Sequence, residues 1–423
     1  MIVQLFLLII VVNHQISRIM LLEFAVQNFK SFKDLQVFSL EASKEKEMDP
    51  AIQRVTEMKG GYRVVKVKAV YGANGSGKSN LIGGLVAMWK ILKHNLTHID
   101  EIFEFPDSFR LDSNLLGKPS YFQIIFITKG IRYRYGFEID QQRIHREWLY
   151  QKREKEVVLF EREGINLRVN ETSFKEGKII QKGIKLFNEK TLVVSILDQF
   201  NFPISTSIKK YITSMRITRS IESTFVLHQT IDFFELNNDF KNWTIKFLQS
   251  IDKTIHDIII KKNIKVNYVE KIPMIIRKSN NNNINIQFNL LEEEAAGTKK
   301  MFDFSRMIHF GVKHGKTIII DELDALLHPK LIRKVIGLFL SPDAHPNAQL
   351  IFVMHDTSLM DNDLLRRDQI TFVEKSIEGY SEIFDLSDIK GVRATDLFEK
   401  NYLKGNYGAL PVLNKLENVL LNG

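Results

Sequence analysis

Residues 72–79, with the sequence GANGSGKS, have the types and spacing needed to bind phosphate groups. They fit the pattern G-x-x-x-x-G-K-[ST] at every fixed position. The glycines of this pattern let the backbone fold tightly, so that its N–H groups point at phosphate oxygens. The Lys78 ammonium then reaches the β- and γ-phosphates, and the Ser79 hydroxyl is a ligand of Mg²⁺. We therefore predict a site for ATP and Mg²⁺ formed by Gly72, Asn74, Gly75, Gly77, Lys78, Ser79 and Asn80.

The segments on both sides of this loop predict the strand and the helix that hold it. Residues 64–70 are rich in valine, with lysines alternating at positions 66 and 68, which is typical of a strand. Residues 80–92 are apolar at helical spacing and indicate a helix, whose N-terminus adds the positive end of its dipole. The competing interpretation, a chance glycine-rich turn, does not account for this order of strand, loop and helix.

Two carboxylates follow a short apolar run in the second half of the chain. Residues 317–320 (TIII) predict a strand that is buried on both faces, as in a parallel sheet. Asp321 and Glu322 come directly after it, at the end where ligands bind in open α/β sheets. We assign Asp321 to Mg²⁺, directly or through water, and Glu322 to the orientation of an attacking water. The competing interpretation is a solvated strand end.

A histidine follows a third predicted strand. Residues 349–354 (QLIFVM) form an apolar run, and His355 comes directly after it. At that position the imidazole could contact the γ-phosphate and report whether it is present. A lone histidine is usually structural, but its placement beside two other site elements favours a functional role. The predicted catalytic residues are therefore Lys78, Glu322 and His355.

Taken in order, these motifs resemble the ATPase head of ABC-type proteins, in the version found in SMC, RecF and overcoming-lysogenisation-defect proteins. Residues 22–32 (LEFAVQNFKSF) are similar to the opening strand of those heads, and residues 321–329 (DELDALLHP) to their Walker B motif and D-loop. The resemblance implies an α/β fold. It would be a P-loop NTPase head of the ABC type with a mixed sheet, an antiparallel β arm and an inserted helical and β lobe.

Two C-terminal segments narrow the resemblance to one bacterial subfamily. Residues 367–375 and 401–411 are similar to abortive-infection and phage-defence ATPases of the AAA family, among them the RloA-like proteins and the ATPase of the PARIS system. The resemblance extends over about residues 20–411 and is loose in the middle.

The resemblance also implies an active site that is shared between subunits. In ABC-type heads a second subunit contributes a signature motif at a helix N-terminus, and residues 294–300 (EAAGTKK) are the candidate here. Gly297, Thr298 and Lys299 would contact the γ-phosphate of a facing subunit in a homodimer or a higher homo-oligomer. Ala295 stands where we expect a serine in the subfamily. The competing interpretation is an ordinary glycine turn that begins a helix.

The predicted organisation has five parts. Translation is expected to begin at Met20, so that residues 1–19 are a mis-assigned start or an extension. The remaining parts are the N-terminal part of the head with the P-loop at 20–140, an inserted basic lobe at 141–290, the C-terminal part of the head at 291–390, and a helical appendage at 391–423.

Positive charge is concentrated in the predicted insert. The whole chain has 59 basic and 50 acidic residues, and residues 141–290 contain 25 basic and 16 acidic ones. Such a surplus indicates binding to DNA or RNA, a solvated face, or a surface for an acidic protein. One basic group favours a protein partner because apolar residues interrupt it. Its basic members are Lys209, Lys210, Arg216 and Arg219, and the apolar ones are Ile212, Met215, Ile217 and Ile221.

Composition excludes several classes of site. The chain has no cysteine, which excludes disulfides, a cysteine nucleophile and cysteine-based zinc sites, and suits a cytoplasmic protein. Residues 2–12 are apolar but shorter than the about 20 residues that a membrane-spanning helix needs, so no membrane partner is expected.

These observations favour one function over two others. The leading hypothesis is an ATPase that converts ATP and water to ADP and phosphate, assembles through shared nucleotide sites and controls a nuclease-like effector protein in phage defence. The alternative is a stand-alone DNA-binding repair ATPase of the RecF or SMC kind, which the basic insert supports. A transporter motor is disfavoured by the opening strand and the D-loop.

Overall fold

The structure is a computed structural model that describes residues 19–45, 49, 51–98, 100–182, 188–218, 224–265, 269–279 and 284–411. The strands, numbered in chain order, are β1 (Ile19–Gln27), β2 (Gln36–Ser39), β3 (Val55–Glu57), β4 (Arg63–Val65), β5 (Val67–Tyr71), β6 (Ser120–Thr128), β7 (Ile131–Ile139), β8 (Ile144–Lys152), β9 (Glu156–Glu163), β10 (Asn166–Val169), β11 (Arg216–Thr218), β12 (Ile255–Ile264), β13 (Val269–Lys278), β14 (Asn285–Asn289), β15 (Thr317–Ile320), β16 (Gln349–Val353), β17 (Ile370–Lys375) and β18 (Ser381–Asp385). The α-helices are α1 (Lys78–His94), α2 (Gly177–Lys182), α3 (Val193–Gln199), α4 (Pro203–Ser214), α5 (Thr224–Leu236), α6 (Asn238–Gln249), α7 (Ala296–His314), α8 (Pro329–Leu340) and α9 (Phe398–Leu403).

A six-stranded sheet carries the predicted nucleotide motifs. Its strand order is β11-β15-β16-β5-β17-β18, and all neighbours are parallel except β17 and β18. Every residue of β5, β15 and β16 is buried, as expected for strands covered on both faces. Because these three strands are neighbours and parallel, the segments that follow them meet at one edge of the sheet.

A seven-stranded antiparallel sheet forms the second layer, in the order β10-β9-β8-β7-β6-β1-β2. The predicted antiparallel arm is confirmed: the consecutive strands β6 to β10 each pair antiparallel with the next one. Together the two large sheets give the mixed α/β fold that the motifs predicted.

The two sheets are joined through a buried core and a buried amide. Helix α1 lies in the hydrophobic core that both sheets share. The Gln349 side chain, fully buried at the start of β16, accepts a hydrogen bond from Leu21 N at 2.8 Å and donates to Leu21 O at 3.0 Å. A side chain of the parallel sheet therefore satisfies the backbone of β1 in the antiparallel sheet, which fixes the relative position of the layers.

The segment between the two halves of the head contains helices α3 to α6 and the antiparallel sheet β12-β13-β14. Strand β11, which the sequence analysis missed, pairs with β15 at the edge of the six-stranded sheet. The predicted boundary at residue 141 falls between β7 and β8, which are hydrogen-bonded neighbours. The division into five parts remains a prediction.

Some predictions concern residues outside the described ranges. They include the expected start or extension before residue 19, Arg219 and Ile221 of the basic group, and the end of the C-terminal appendage after residue 411. Among the residues that are described, we find no helix whose length and hydropathy would suit it to span a bilayer.

Two buried lysines, one just before β5 and one within it, differ in their hydrogen-bond partners. The Lys68 ammonium donates to Asp385 Oδ2 at 2.7 Å and to Asp368 O at 2.6 Å. The Lys66 ammonium, two residues earlier, has no hydrogen-bond partner among the described residues, although only 1% of the residue is exposed. Burial lowers the pKa of Lys66 to about 8. Folding at neutral pH therefore leaves this charge uncompensated.

We predict that Lys66→Met stabilises the protein at pH 7 by about 3 kcal/mol, since a pKa difference of one unit corresponds to about 1.4 kcal/mol. The gain is complete below pH 8. Between pH 8 and 10.5 the unfolded chain keeps its Lys66 proton while the native state loses it, so wild-type stability rises and the gain disappears. Urea unfolding of both proteins at several pH values measures this difference.

The matched variant is Lys68→Met, which should destabilise the protein by about 3–5 kcal/mol because it leaves the Asp385 carboxylate buried without its partner. Equal effects of the two substitutions would contradict the assignment of a paired and an unpaired ammonium.

Candidate nucleotide-binding site

Most of the residues predicted for the P-loop and for catalysis meet in one cavity at the carboxyl edge of the six-stranded sheet. The P-loop leaves β5, Asp321 and Glu322 follow β15, and His355 follows β16. The cavity has a volume of about 450 Å³. Its lining consists of Asn74, Gly75, Ser76, Gly77, Lys78, Ser79, Asn80, Glu322 and His355. The sequence analysis therefore identified every lining residue except Ser76, and it assigned roles to three segments that are far apart in the chain.

Two glycines of the loop are required by close packing. Gly72 has a φ of +146°, and a Cβ at this position would lie 2.2 Å from Val373 O. Gly77 has a φ of +115°, and a Cβ there would lie 2.3 Å from the Ser381 hydroxyl oxygen. Any side chain at either position would collide with the β17–β18 hairpin or demand an unfavourable backbone conformation. The hairpin therefore supports the loop from behind.

The Lys78 ammonium is held over the loop by the loop itself. It donates to Gly72 O at 2.7 Å and to Ala73 O at 2.9 Å. Burial lowers the pKa of Lys78, while Asp321, Asp324 and Glu322 oppose that shift. The cation is thus positioned before any phosphate arrives, and its carbonyl partners are neutral groups that a phosphate can replace.

Ser79 and Asp321 are placed to share a cation. The Ser79 hydroxyl lies 3.3 Å from Asp321 Oδ1, and Asp321 is 4% exposed. Adjacent ligands of an octahedral Mg²⁺, each at about 2.0–2.1 Å, are separated by about 2.9 Å, which is close to this distance. Asp321 N donates to Thr218 O at 3.0 Å, so the missed strand β11 helps to fix the carboxylate. These two oxygen donors are of the type that Mg²⁺ prefers, and they would leave the other positions of the octahedron to phosphate and water.

Glu322 lies in a backbone conformation that side chains rarely adopt. Its φ is +55°, and Leu326 in the same loop has a φ of +64°. Such conformations cost about 1–3 kcal/mol each and persist only where the surroundings hold them. The Glu322 residue itself is exposed at the cavity wall.

An aspartate that the sequence analysis left without a role links this loop to the histidine. The Asp324 carboxylate accepts hydrogen bonds from the backbone N–H groups of His355 at 2.6 Å and Asp356 at 2.8 Å. Leu323 N adds a bond to Val353 O at 3.0 Å. Asp324 therefore sets where His355 stands relative to Glu322.

A buried lysine on α7 completes the support of the loop. The Lys300 ammonium donates to the carbonyl of Glu322 at 3.2 Å, to that of Leu323 at 3.4 Å, and to that of Ala325. Burial lowers the pKa of Lys300 to about 8, with the charges of Asp324 and Glu322 opposing the shift. Lys300 had no predicted role. The neighbouring Lys299 was predicted to contact the phosphate of a facing subunit, which remains a prediction.

The predicted signature residues lie apart from this cavity. Gly297, Thr298 and Lys299 form the first turn of α7, and none of them is among the described residues that line the cavity. Ala295 is the N-cap of the helix and supplies no side-chain hydrogen bond. A Cβ at Gly297 would lie 3.3 Å from Leu326 O, so the signature turn packs against the loop that carries Glu322.

The opening motif of the chain also reaches the site. Asn80 Nδ2 donates to the Ser31 hydroxyl at 2.8 Å, and Ser31 O accepts from Ser381 N at 2.7 Å. Asn80 therefore holds residues 28–32 against the P-loop in addition to lining the cavity. The sequence signalled this only through the similarity of the opening segment.

A comparison with protein-family models agrees with a nucleotide-binding domain. The family model described as "AAA domain, putative AbiEii toxin, Type IV TA system" matches residues 68–199 and 256–361. A comparison with curated proteins found no match.

Three solved structures that resemble the chain are SMC heads. The SMC head domain from Thermotoga maritima is 14% identical, with a TM-score of 0.42 over 86% of this chain and 98% of that one. An SMC head bound to the C-winged helix domain of ScpA is 12% identical, with a TM-score of 0.48 over 86% and 98%. A third, an SMC head with an extended coiled coil bound to the C-terminal domain of ScpA, derived from Pyrococcus furiosus, is 11% identical, with a TM-score of 0.41 over 87% and 96%.

We predict that Lys300→Met slows ATP hydrolysis by about 10- to 100-fold, because the loop that carries Glu322 loses three hydrogen bonds and misplaces the carboxylate. Nucleotide affinity should change by less than about threefold, since the P-loop itself does not contact Lys300. Phosphate release and a fluorescent nucleotide titration measure the two quantities. Lys313→Met, an exposed position on the same helix, is the control and should leave both unchanged.

Proposed function

The chain belongs to the family of AAA domains whose model matches residues 68–199 and 256–361, and from that premise we propose that it is an ATPase. It binds ATP and Mg²⁺ in the cavity between the P-loop and Glu322. The single observation that supports this most is the composition of the cavity wall, which joins seven consecutive P-loop residues to Glu322 and His355. An isolated phosphate-binding loop would need neither the carboxylate nor the histidine.

The roles of the side chains follow from their positions. The backbone N–H groups of residues 74–79 and the Lys78 ammonium bind the phosphates, while Ser79 and Asp321 hold the metal ion. When bound, Mg²⁺ neutralises charge that develops on the phosphate oxygens. Glu322 orients the water that attacks the γ-phosphate, and His355 contacts that phosphate from β16. The positioning of Glu322 depends on Lys300 and Asp324.

We propose further that two copies of the chain share their nucleotide sites. The first turn of α7 carries the positive end of a helix dipole, and no side chain caps it. The backbone N–H groups of this turn, including those of Gly297 and Thr298, can therefore donate hydrogen bonds to a phosphate that is bound to a facing subunit. Ala295 supplies no hydroxyl there, so the backbone and Lys299 have to make this contact.

The proposed output of the ATPase is the control of a partner effector in phage defence. The family description names a putative toxin and a type IV toxin–antitoxin system. Residues 367–375 and 401–411 support a place near the RloA-like and PARIS ATPases. Such control requires a partner protein, which we propose is a nuclease-like effector. The ATPase would hold this effector in one nucleotide state and release it in another.

Two substitutions test the ATPase proposal. Lys78→Ala should abolish nucleotide binding, because the charge that offsets the phosphates is lost. Glu322→Gln should bind ATP normally, hydrolyse it at least about 100-fold more slowly and accumulate a larger assembly. Nucleotide titration, phosphate release and light scattering with and without ATP measure these effects. Wild-type binding in Lys78→Ala would contradict the P-loop assignment, and undiminished hydrolysis in Glu322→Gln would contradict the role of the carboxylate.

A second candidate function, DNA-binding repair, is favoured by one group of cations. Lys210, Arg216, Arg306 and Lys316 have no ion pair among the described residues. Burial and the charge of Arg216 lower the pKa of Arg306 to about 10, and burial with Arg216 and Lys210 lowers the pKa of Lys316. These cations therefore repel one another, and a polyanion would relieve the repulsion.

Two of the four apolar residues on which the preference for a protein partner was based are not at the surface. Ile212 and Met215 were expected to form a mixed apolar and basic surface, but they are 2% and 3% exposed and belong to the core. Helix α4 turns its apolar face inward. Among the described residues of the group, Ile217 stays partly exposed. Lys210 is exposed and the other cations are half-buried, and their charge suits a phosphate backbone.

We predict that the combined variant Lys210→Gln, Arg216→Gln and Lys316→Gln reduces the salt dependence of DNA binding, by about 0.9 in the log–log slope for each phosphate contact removed. Fluorescence anisotropy with labelled duplex DNA at several salt concentrations measures the slope. Lys209→Gln is the matched control, because Lys209 is already paired with Asp198 at 3.1 Å. An unchanged slope in the combined variant would exclude this surface as the DNA site.

A further inference from the structure

A histidine pair lies where the P-loop helix ends. Helix α1 ends at His94, and the backbone N–H groups of Thr97 and His98 both donate to His94 O, at 3.0 and 2.9 Å. This tight turn brings the two imidazoles together, with their Nδ1 atoms 3.3 Å apart. The backbone turn therefore places the two histidine residues side by side.

A carboxylate converges on the same point. Glu101, at the start of a 3₁₀ turn (Glu101–Glu104), brings one oxygen close to the histidine nitrogens. One ligand atom of each of the three residues lies within 4.8 Å of the other two. His94 is partly exposed and the other two are exposed, so the point is open to solvent.

The geometry points to a site for a divalent transition-metal ion, Zn²⁺ above all, formed by His94, His98 and Glu101. In tetrahedral zinc sites the nitrogen ligands lie about 2.0–2.1 Å from the metal, which separates two of them by about 3.3–3.4 Å. The observed distance between the Nδ1 atoms matches that value. Two histidines and one glutamate form a known zinc ligand set, which leaves the fourth position to water.

A hydrogen bond between two neutral imidazoles would also explain a distance of 3.3 Å. It leaves unexplained the Glu101 oxygen that lies within 4.8 Å of a nitrogen of each histidine. A metal ion accounts for all three groups at once. Binding of a metal cation is further favoured by its position at the carboxyl end of α1, where the helix dipole stabilises positive charge.

The ammonium groups of two lysines near this helix end lie over aromatic rings. The Lys93 ammonium lies 4.4 Å from the centre of the Trp89 ring, and the Lys90 ammonium 4.8 Å from that of Phe105.

This site is separate from the proposed Mg²⁺ site. Helix α1 has 17 residues, so its two ends are about 25 Å apart at 1.5 Å per residue. A metal bound at the carboxyl end would tie α1 to the segment that follows it. It would stabilise the helix whose other end holds the phosphates.

Zinc binding to tag-free, chelator-treated protein tests the proposal in the absence of nucleotide. Isothermal titration calorimetry should show one strong Zn²⁺ site per chain, and Co²⁺ should give the visible absorption bands of a tetrahedral site. His94→Gln and His98→Gln should each weaken Zn²⁺ binding by at least about 100-fold, and Glu101→Gln by about 10-fold. Zn²⁺ should also raise the unfolding temperature of the wild type and not that of His98→Gln.

Two control variants separate this site from other places where zinc could bind. His256→Gln changes an exposed histidine on β12 and should leave Zn²⁺ affinity unchanged. Asp321→Asn alters the proposed Mg²⁺ site and should also leave it unchanged. Undiminished Zn²⁺ binding in the folded His98→Gln variant, or its loss in Asp321→Asn, would overturn the proposal.

Discussion

The arrangement of the site depends on the Lys300 ammonium, which donates to three backbone carbonyls of the turn after β15. Two residues of that turn, Glu322 and Leu326, have positive φ values, and no glycine is present to make those conformations easy. The turn therefore needs an external support. A buried cation is a strong support, because a hydrogen bond from a charged donor to a carbonyl oxygen is stronger than one from a neutral donor. Without it, the turn would keep the bonds made by Asp321, Leu323 and Asp324, but the carboxylate would be held less firmly relative to the P-loop.

The same lysine couples two functions that the sequence presents as separate motifs. Lys300 belongs to the helix whose first turn is the proposed contact with a facing subunit, and its ammonium holds the loop of the proposed catalytic carboxylate. Gly297 packs against Leu326 O from the same turn. A phosphate that binds at the N-terminus of α7 and shifts this rigid helix would therefore also move the loop that positions Glu322. Assembly and hydrolysis would be linked by contacts within a single chain.

Buried charge has two different consequences in this protein. Lys68 and Lys300 have carbonyl or carboxylate partners, so their desolvation is offset by hydrogen bonds. Lys66 has none among the described residues, so its burial lowers stability. The sequence shows only lysines at alternate positions beside a valine-rich strand. Whether each charge stabilises or destabilises depends on Asp385, more than 300 residues away, and so it could not be predicted from local pattern.

The parts that local sequence could predict are those whose chemistry is local. The P-loop, the carboxylates after β15 and the histidine after β16 each carry their own strand signal, and parallel pairing brings their ends together. The parts it could not predict are set by distant contacts. Strand β11 has three residues and no periodicity to reveal it, and Asp324 acts on backbone N–H groups 31 and 32 residues away. Ile212 and Met215 looked like surface because a basic segment surrounds them, yet α4 buries them. Sequence therefore located the groups that line the cavity, while the groups that hold them in place required the fold.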